Sequence, residues 1–199
     1  MNPKLSGSHG RQTVGRKLVS NNYPRSGERG YEPTFSSPSD SSAPLAAMPV
    51  FETSITLDCP IEQVFEFLLH PANVALIAPP DLGLAFTDAP EVLKLGSRFE
   101  FKVQAFGQIQ TMIHEITRFE PGKLVTETQV KGLLGHWIHD HKFESNDDGR
   151  TVVVDCIDFS PPPGMLGLLV TANKILDQLD DGYYYRHRQL QKLLSEPAT

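Results

Sequence analysis

The sequence predicts an α+β domain in which a curved antiparallel sheet of about seven strands surrounds a long C-terminal helix. Three observations support this fold class: a first strand precedes two short helical segments, a series of strand-patterned segments with short turns follows, and residues 165–194 have helical periodicity. The long helix can bury its apolar stripe only against the concave face of the sheet. Because a twisted sheet rarely closes tightly along a helix of this length, we expect an internal cavity between them.

The first elements are a strand and two short helices. The strand is predicted at Val50–Leu57, where apolar and polar residues alternate. Helix one is predicted at 61–69, with Asp58 as its N-cap and Pro60 in its first turn. A second short helix is predicted at 72–78, where a Pro-Pro pair ends it.

Six further strands with short turns between them indicate an antiparallel meander. The turns are predicted at a Phe-Gly pair, a Glu-Pro-Gly-Lys segment and an Asn-Asp-Asp-Gly segment. The predicted strands are 84–88, 98–105, 108–119, 124–130, 136–144 and 150–160. In the C-terminal helix, the predicted apolar stripe comprises Leu169, Ala172, Leu176, Leu179, Tyr183 and Leu190.

Composition divides the chain into one domain and two flanking segments. Residues 1–47 are rich in Ser, Gly, Pro, Asn and Arg and have no hydrophobic period, so we predict a disordered extension. Residues 48–194 are predicted to form the folded domain, and residues 195–199 a disordered tail. The net charge is −6, with the acidic excess after residue 47, which argues against a nucleic-acid partner.

The chain has no pattern typical of a membrane or secreted protein. No run of about 18 apolar residues occurs, so we expect no integral membrane segment. The basic N-terminal residues lack the apolar core of a secretory signal. Cys59 and Cys156 have no metal-ligand spacing, and we predict free thiols in a reducing, cytoplasmic location.

Five segments of the domain resemble the START/Bet v 1-like (SRPBCC) ligand-binding superfamily, and within it the bacterial polyketide cyclase/dehydrase-like subgroup. The resemblance covers residues 48–194 and is carried by residues 51–55, 59–65, 119–121, 135–144 and 184–190. It implies the helix-grip fold, in which the curved sheet and the long helix enclose a small hydrophobic ligand. It implies no particular reaction, because members of this superfamily share a pocket rather than a set of catalytic residues.

The most distinctive candidate site residues lie in the segment 135–144. Strand alternation places four of them on one face, which the aromatic residues predict to be the inner one: Trp137, His139, His141 and Phe143. A few polar groups in an apolar pocket are enough to orient a small ligand. The predicted ligand-binding residues are Phe99, Phe101, Trp137, His139, His141, Phe143, Leu179, Tyr183 and Arg186.

Several of these residues have alternative interpretations. The histidines can also be hydrogen-bonded parts of the sheet interior. Arg186 either binds a ligand carboxylate or pairs with Asp180 or Asp181. If the protein is an enzyme, His139 and Tyr183 are the candidates for acid–base catalysis.

A metal site receives little support from the sequence. His139 and His141 could supply two zinc ligands, but a catalytic zinc needs a third. His114 on the neighbouring strand is the obvious third candidate, and nothing else in the sequence supports that role. We therefore predict no metal and no other cofactor.

Three acidic strand residues, Glu100, Glu115 and Glu127, are expected on the outer face of the sheet. Their polar neighbours indicate a solvated surface rather than the cavity. Arg98 and Lys102 are expected to pair with them there.

Three functions remain open at this point. The first is binding of a small hydrophobic molecule, such as a lipid, a quinone or a polyketide-like compound. The second is catalysis by a polyketide cyclase, aromatase or dehydratase that moves a proton with His139 or Tyr183. The third is a protein-interaction module, for which the sequence names no partner.

Overall fold

The computed structural model describes residues 48–194; the extension 1–47 and the tail 195–199, both predicted to be disordered, lie outside the described residues. The strands are β1 (Val50–Leu57), β2 (Ala85–Asp88), β3 (Arg98–Ala105), β4 (Gln108–Glu120), β5 (Leu124–Lys131), β6 (His136–Ser145) and β7 (Thr151–Ser160). The helices are α1 (Ile61–Leu68), α2 (Pro71–Ile77), α3 (Met165–Leu169) and α4 (Ala172–Leu194), with a 3₁₀ turn at Pro80–Leu82. Among the described residues, no helix has the length and apolar character needed to cross a membrane.

The seven strands form one antiparallel sheet in the order β1-β7-β6-β5-β4-β3-β2. Strands β2 to β7 each pair with their neighbours along the chain, as in the predicted meander, and β1 completes the other edge by pairing with β7. The buried residues of α4 pack against the concave face of this sheet. The predicted α+β helix-grip fold is therefore confirmed.

The C-terminal segment contains two helices, whereas the sequence predicts one helix over 165–194. Val170 leaves the helical conformation, with φ −105° and ψ 78°. Helix α4 then starts after Thr171, whose hydroxyl accepts a hydrogen bond from the Lys174 backbone N–H at 3.4 Å, as an N-cap residue does. Leu169, predicted in the buried stripe, consequently lies in α3 and is 67% exposed.

The start of α1 also differs from its prediction. The N-cap residue is Pro60, not Asp58, and it makes no side-chain cap hydrogen bond. The segment before α1 is instead bonded to the sheet, because the Thr151 hydroxyl of β7 donates to the Cys59 carbonyl at 2.6 Å. Helix α2 begins at Pro71, one residue earlier than predicted, because the fixed φ of proline suits the first helical position.

Two hydrophobic clusters fill opposite parts of the concave side. The larger one joins α1, the middle of the sheet and the C-terminal end of α4, and it includes Leu57 and Leu190. The smaller one surrounds the start of α4 and includes Phe159 and Ile175. Leu190 is 1% exposed, and burial of such a side chain contributes about 2 kcal/mol to stability.

The two cysteines are free, as predicted. Cys59 is buried and Cys156 is half-buried. Burial is the main reason that the pKa of each thiol is raised. Both therefore remain protonated, weakly nucleophilic thiols at neutral pH.

Candidate functional site

A cavity of about 800 Å³ lies between the concave face of the sheet and the first half of α4. That volume lies within the range of small-molecule sites in proteins. The β3–β4 hairpin contributes Phe106, which adopts a left-handed conformation with φ 51° beside Gly107 with φ 78°. This pair of positive φ angles forms the tight turn that the Phe-Gly sequence predicts, and the Phe106 side chain lines the cavity.

All nine predicted ligand-binding residues line this cavity: Phe99, Phe101, Trp137, His139, His141, Phe143, Leu179, Tyr183 and Arg186. Most of the wall is aromatic or aliphatic, because alternate residues of β3, β4, β5, β6 and β7 point inward. The structure thus places all nine side chains in one cavity. Their role in binding a ligand stays a prediction.

Strand register assembles a polar group in the middle of this apolar wall. Glu127 of β5 is directly opposite His139 of β6. Asp155 of β7 is directly opposite His141, two residues further along β6. All four side chains lie on the concave side of the sheet, because residues two apart on a strand share a face.

His139 is the centre of the resulting hydrogen-bond network. Its Nδ1 lies 3.3 Å from Glu127 Oε1, and its Nε2 lies 2.9 Å from Asp155 Oδ1. His141 Nδ1 lies 2.6 Å from the same Asp155 oxygen. The hydroxyl of Tyr183, on α4, lies 2.9 Å from His139 Nε2. We call these five residues the closed network.

The closed network fixes the charge of each member. Burial opposes ionisation of His139, but hydrogen bonds to Asp155 and Glu127, together with their charges, outweigh it and raise the His139 pKa to about 9. Burial also opposes ionisation of both carboxyls, yet hydrogen bonds from the histidines hold their pKa values well below the ordinary range. At neutral pH an imidazolium therefore donates to two carboxylates.

The other two members of the network are neutral. Burial and the charge of His139 lower the pKa of His141, so its Nδ1–H donates to Asp155 without a charge on the ring. Burial, followed by the charge of Asp155, raises the pKa of the Tyr183 hydroxyl well above its ordinary value. The hydroxyl is therefore available as a hydrogen-bond donor or acceptor at the cavity wall.

Arg186 adds a second positive charge beside the network. Its guanidinium carbon lies 5.6 Å from the centroid of the Tyr183 ring, within cation–π range. Its charge contributes to the lowered pKa of Asp155, and its Nε is buried without a hydrogen-bond partner. The charges of Arg186 and His139 balance those of Glu127 and Asp155, so this wall does not require a charged ligand.

Glu127 is not on the outer face, where the sequence predicts it. It follows buried Val125 by two residues and faces the cavity with it. The first three residues of β5 are all buried, which hides the alternation that would have identified the inner face. The expected outer-face pairing does occur at Arg98, whose Nε lies 2.5 Å from Glu115 Oε2.

Asp155 is a member of the closed network that the sequence does not predict. It is 1% exposed and lies between Val153 and Ile157 on the inward face of β7. A carboxylate flanked in this way by buried β-branched residues must find partners inside the protein. That pattern was the available signal, although it does not identify His139 and His141 as the partners.

The potential metal ligands differ from those that the sequence suggests. Glu127, His139 and His141 each place one ligand atom within 4.8 Å of the other two, whereas His114, the candidate third ligand that the sequence did not support, is outside this group. Two histidines and a carboxylate suit zinc chemically. However, His139 already holds a proton between Glu127 and Asp155, which a metal ion would have to displace. The expectation that no metal is bound stays a prediction.

Comparison with known proteins gives similarity of fold at low sequence identity. No protein-family model matches the sequence, and no curated protein is similar to it. The solved structure of protein CV1439 from Chromobacterium violaceum is 16% identical, with a TM-score of 0.57, and the match covers 74% of this chain and 98% of that chain. Protein Ms6760 from Mycobacterium smegmatis is 14% identical, with a TM-score of 0.55 and coverage of 75% and 93%.

A plant protein has the same architecture. The ginseng major latex-like protein 151 from Panax ginseng is 15% identical, with a TM-score of 0.53, and the match covers 71% of this chain and 97% of that chain. These similarities identify a Bet v 1-like helix-grip fold. At such identities they support the fold alone, and neither a ligand nor the polyketide cyclase/dehydrase-like subgroup follows from them.

Proposed function

We propose that the protein binds a small, mainly apolar molecule with a polar end inside its internal cavity. A lipid, a quinone or a polyketide-like compound has this character. The observation that carries the proposal is a cavity of about 800 Å³ whose wall is mostly aromatic and aliphatic and includes a smaller number of polar groups. Pockets of this composition bind small ligands by apolar contact and orient them with a few hydrogen bonds.

The apolar wall is sufficient for useful affinity. Burial of about 400 Å² of apolar ligand surface contributes roughly 10 kcal/mol before the costs of association. A micromolar complex needs about 8 kcal/mol. Because the charges of His139 and Arg186 balance those of Glu127 and Asp155, a neutral ligand avoids the penalty of bringing an unpaired charge beside them.

The test uses Trp137, the only tryptophan of the chain, as an internal reporter. Its ring lines the cavity, so a bound quinone such as decylubiquinone should quench its fluorescence in a saturable manner. Native mass spectrometry of the mildly purified full chain should detect a co-purified small molecule. Absence of quenching and of any bound mass, across a panel of quinones and fatty acids, would contradict the proposal.

A matched pair of variants locates the binding. Val103 lines the cavity, whereas Val130 is 50% exposed and lies outside the wall. Val103→Phe fills part of the cavity and should weaken decylubiquinone binding by about tenfold or more. Val130→Phe adds the same group to the surface and should leave the affinity unchanged. Equal effects of the two substitutions would place the ligand outside the cavity.

A second function, acid–base catalysis by a cyclase or dehydratase, is favoured by one observation. Asp155, His139 and Tyr183 form a hydrogen-bonded chain that ends at the cavity wall. In such a chain the protonated His139 can supply a proton through the Tyr183 hydroxyl to a ligand carbonyl. A poly-β-keto thioester should then lose water, detected as a mass decrease. Tyr183→Phe should stop this reaction while Trp137 quenching persists; turnover at the wild-type rate in Tyr183→Phe would exclude the route.

A further inference from the structure

Two neighbouring aromatic side chains of the cavity wall each have a buried polar atom without a hydrogen-bond partner. The Nε2 atom of His114 and the Nε1 atom of Trp137 are both buried and unpaired, and both side chains line the cavity. Their ring centroids are 6.4 Å apart. We call His114 and Trp137 the open pair. A buried polar atom without a partner costs free energy, so a site with two of them is suited to a ligand that satisfies both.

The two atoms have complementary hydrogen-bonding roles. His114 Nδ1 lies 3.4 Å from Glu127 Oε1, and a carboxylate oxygen can only accept, so this nitrogen carries the proton. In the neutral ring, Nε2 is then an acceptor. Trp137 Nε1–H can only donate. The open pair therefore combines one acceptor and one donor on two rings that line the same cavity.

Aromatic rings surround the open pair. Phe99 and Phe101 contact the His114 ring edge-on, with centroid distances of 6.0 and 4.9 Å. The ring centroids of Phe159 and Trp137 are 6.4 Å apart. Aromatic walls of this kind favour a planar apolar body, so the polar group they accommodate should be small.

We propose that the open pair is a subsite for a single neutral hydroxyl group on the ligand, which donates to His114 Nε2 and accepts from Trp137 Nε1–H. This inference rests on the proposed function, because it assumes that an apolar molecule occupies the cavity. A hydroxyl is the smallest group that fills both roles at once. An ether or carboxylate accepts from Trp137 but has no proton for His114, and a hydrocarbon satisfies neither atom.

The experiment compares three probes that share one ring system: 2-naphthol, 2-methoxynaphthalene and naphthalene. Isothermal titration calorimetry, with the full chain in the syringe because the probes are sparingly soluble, gives each Kd. We expect 2-naphthol to bind about tenfold or more tightly than either of the others, since two buried polar atoms gain partners with it alone. Equal affinities would show that water satisfies the open pair and would overturn the subsite, while the proposed function would stand.

Two variants assign the preference to the open pair. His114→Phe and Trp137→Phe should each remove most of the advantage of 2-naphthol over naphthalene, measured as the ratio of the two Kd values within each variant, so that a change in apolar contact common to both probes cancels. His136→Phe is the control, because His136 is partly exposed on the outer face beside Asp158. Retention of the preference in both cavity variants would overturn the assignment. Failure of all three probes to bind the wild type would overturn the subsite and count against the proposed function as well.

Discussion

The cavity wall contains two polar regions that differ in how their hydrogen bonds are satisfied. In the closed network, every side chain has at least one hydrogen-bond partner in the protein, and the distances are 2.6–3.3 Å. In the open pair, one nitrogen of His114 and the indole nitrogen of Trp137 have none. The hydrogen bonds of the closed network join β5, β6, β7 and α4 to one another, whereas the open pair makes no such connection through these two atoms and is the subsite that we propose for a ligand.

The largest expected effect comes from removing the carboxylate at the base of the closed network. Asp155→Ala leaves the His139 cation with one of its two partners and leaves His141 Nδ1–H without an acceptor. We expect a loss of about 3–5 kcal/mol in the free energy of unfolding, measured by urea denaturation. Asp158→Ala, on the outer face of the same strand, should cost less than about 1 kcal/mol. Similar losses in the two variants would show that the network does not stabilise the fold.

The charge of His139 predicts a loss of stability at alkaline pH. Its pKa rises from 6.5 in the unfolded chain to about 9 in the fold, so its stabilising contribution is fully present below pH 6.5 and disappears as the pH rises through 9. The pKa difference corresponds to on the order of 3 kcal/mol. Urea denaturation at several values between pH 7 and 9.5 should record this decline, and His139→Gln should abolish it. The same decline in the variant, or none in the wild type, would mean that His139 is neutral in the fold.

Sequence patterns could predict the faces of the strands but not the pairs across them. The alternation in β6 correctly places Trp137, His139 and His141 in the cavity. The opposition of Glu127 to His139, and of Asp155 to His141, depends on strand register, which the turns and bulges fix. The open pair could not be predicted either, because the absence of hydrogen-bond partners depends on which side chains surround the two atoms in the fold.

The fold was predictable to a greater degree than the site, because it follows from the order of elements. Periodicity and turn residues are local properties, and they identify the seven strands and the long helix. The break between α3 and α4 was missed because it depends on Val170, whose side chain is buried against the smaller cluster at 3% exposure. Tertiary packing of one residue there overrides an otherwise continuous helical pattern.

A smaller effect is expected where the closed network meets α4. Tyr183→Phe retains the ring that packs on Phe51 at a centroid distance of 5.2 Å and removes only the hydroxyl next to His139. We expect a loss of about 1 kcal/mol, typical of one buried hydrogen bond. Thermal unfolding followed by circular dichroism would measure it, with Tyr184→Phe, at a 68% exposed position of the same helix, as the unaffected control. If Tyr183→Phe lowered the free energy of unfolding as much as Asp155→Ala does, the Tyr183 hydroxyl would contribute as much to stability as the Asp155 carboxylate.

The smallest effect should occur at the open pair, although His114 is 3% exposed, even more buried than His139 at 4%. His114→Phe removes a 3.4 Å hydrogen bond to Glu127 and, with it, an unpaired buried nitrogen, so the two changes oppose each other. We expect the free energy of unfolding to change by less than about 1 kcal/mol, whereas the matched substitution His139→Phe removes the cation that two buried carboxylates share and should cost about 3–5 kcal/mol. Urea denaturation of both variants makes the comparison directly. If His114→Phe were as destabilising as His139→Phe, His114 would belong to the structural network, and the distinction between the two polar regions of the wall would no longer hold.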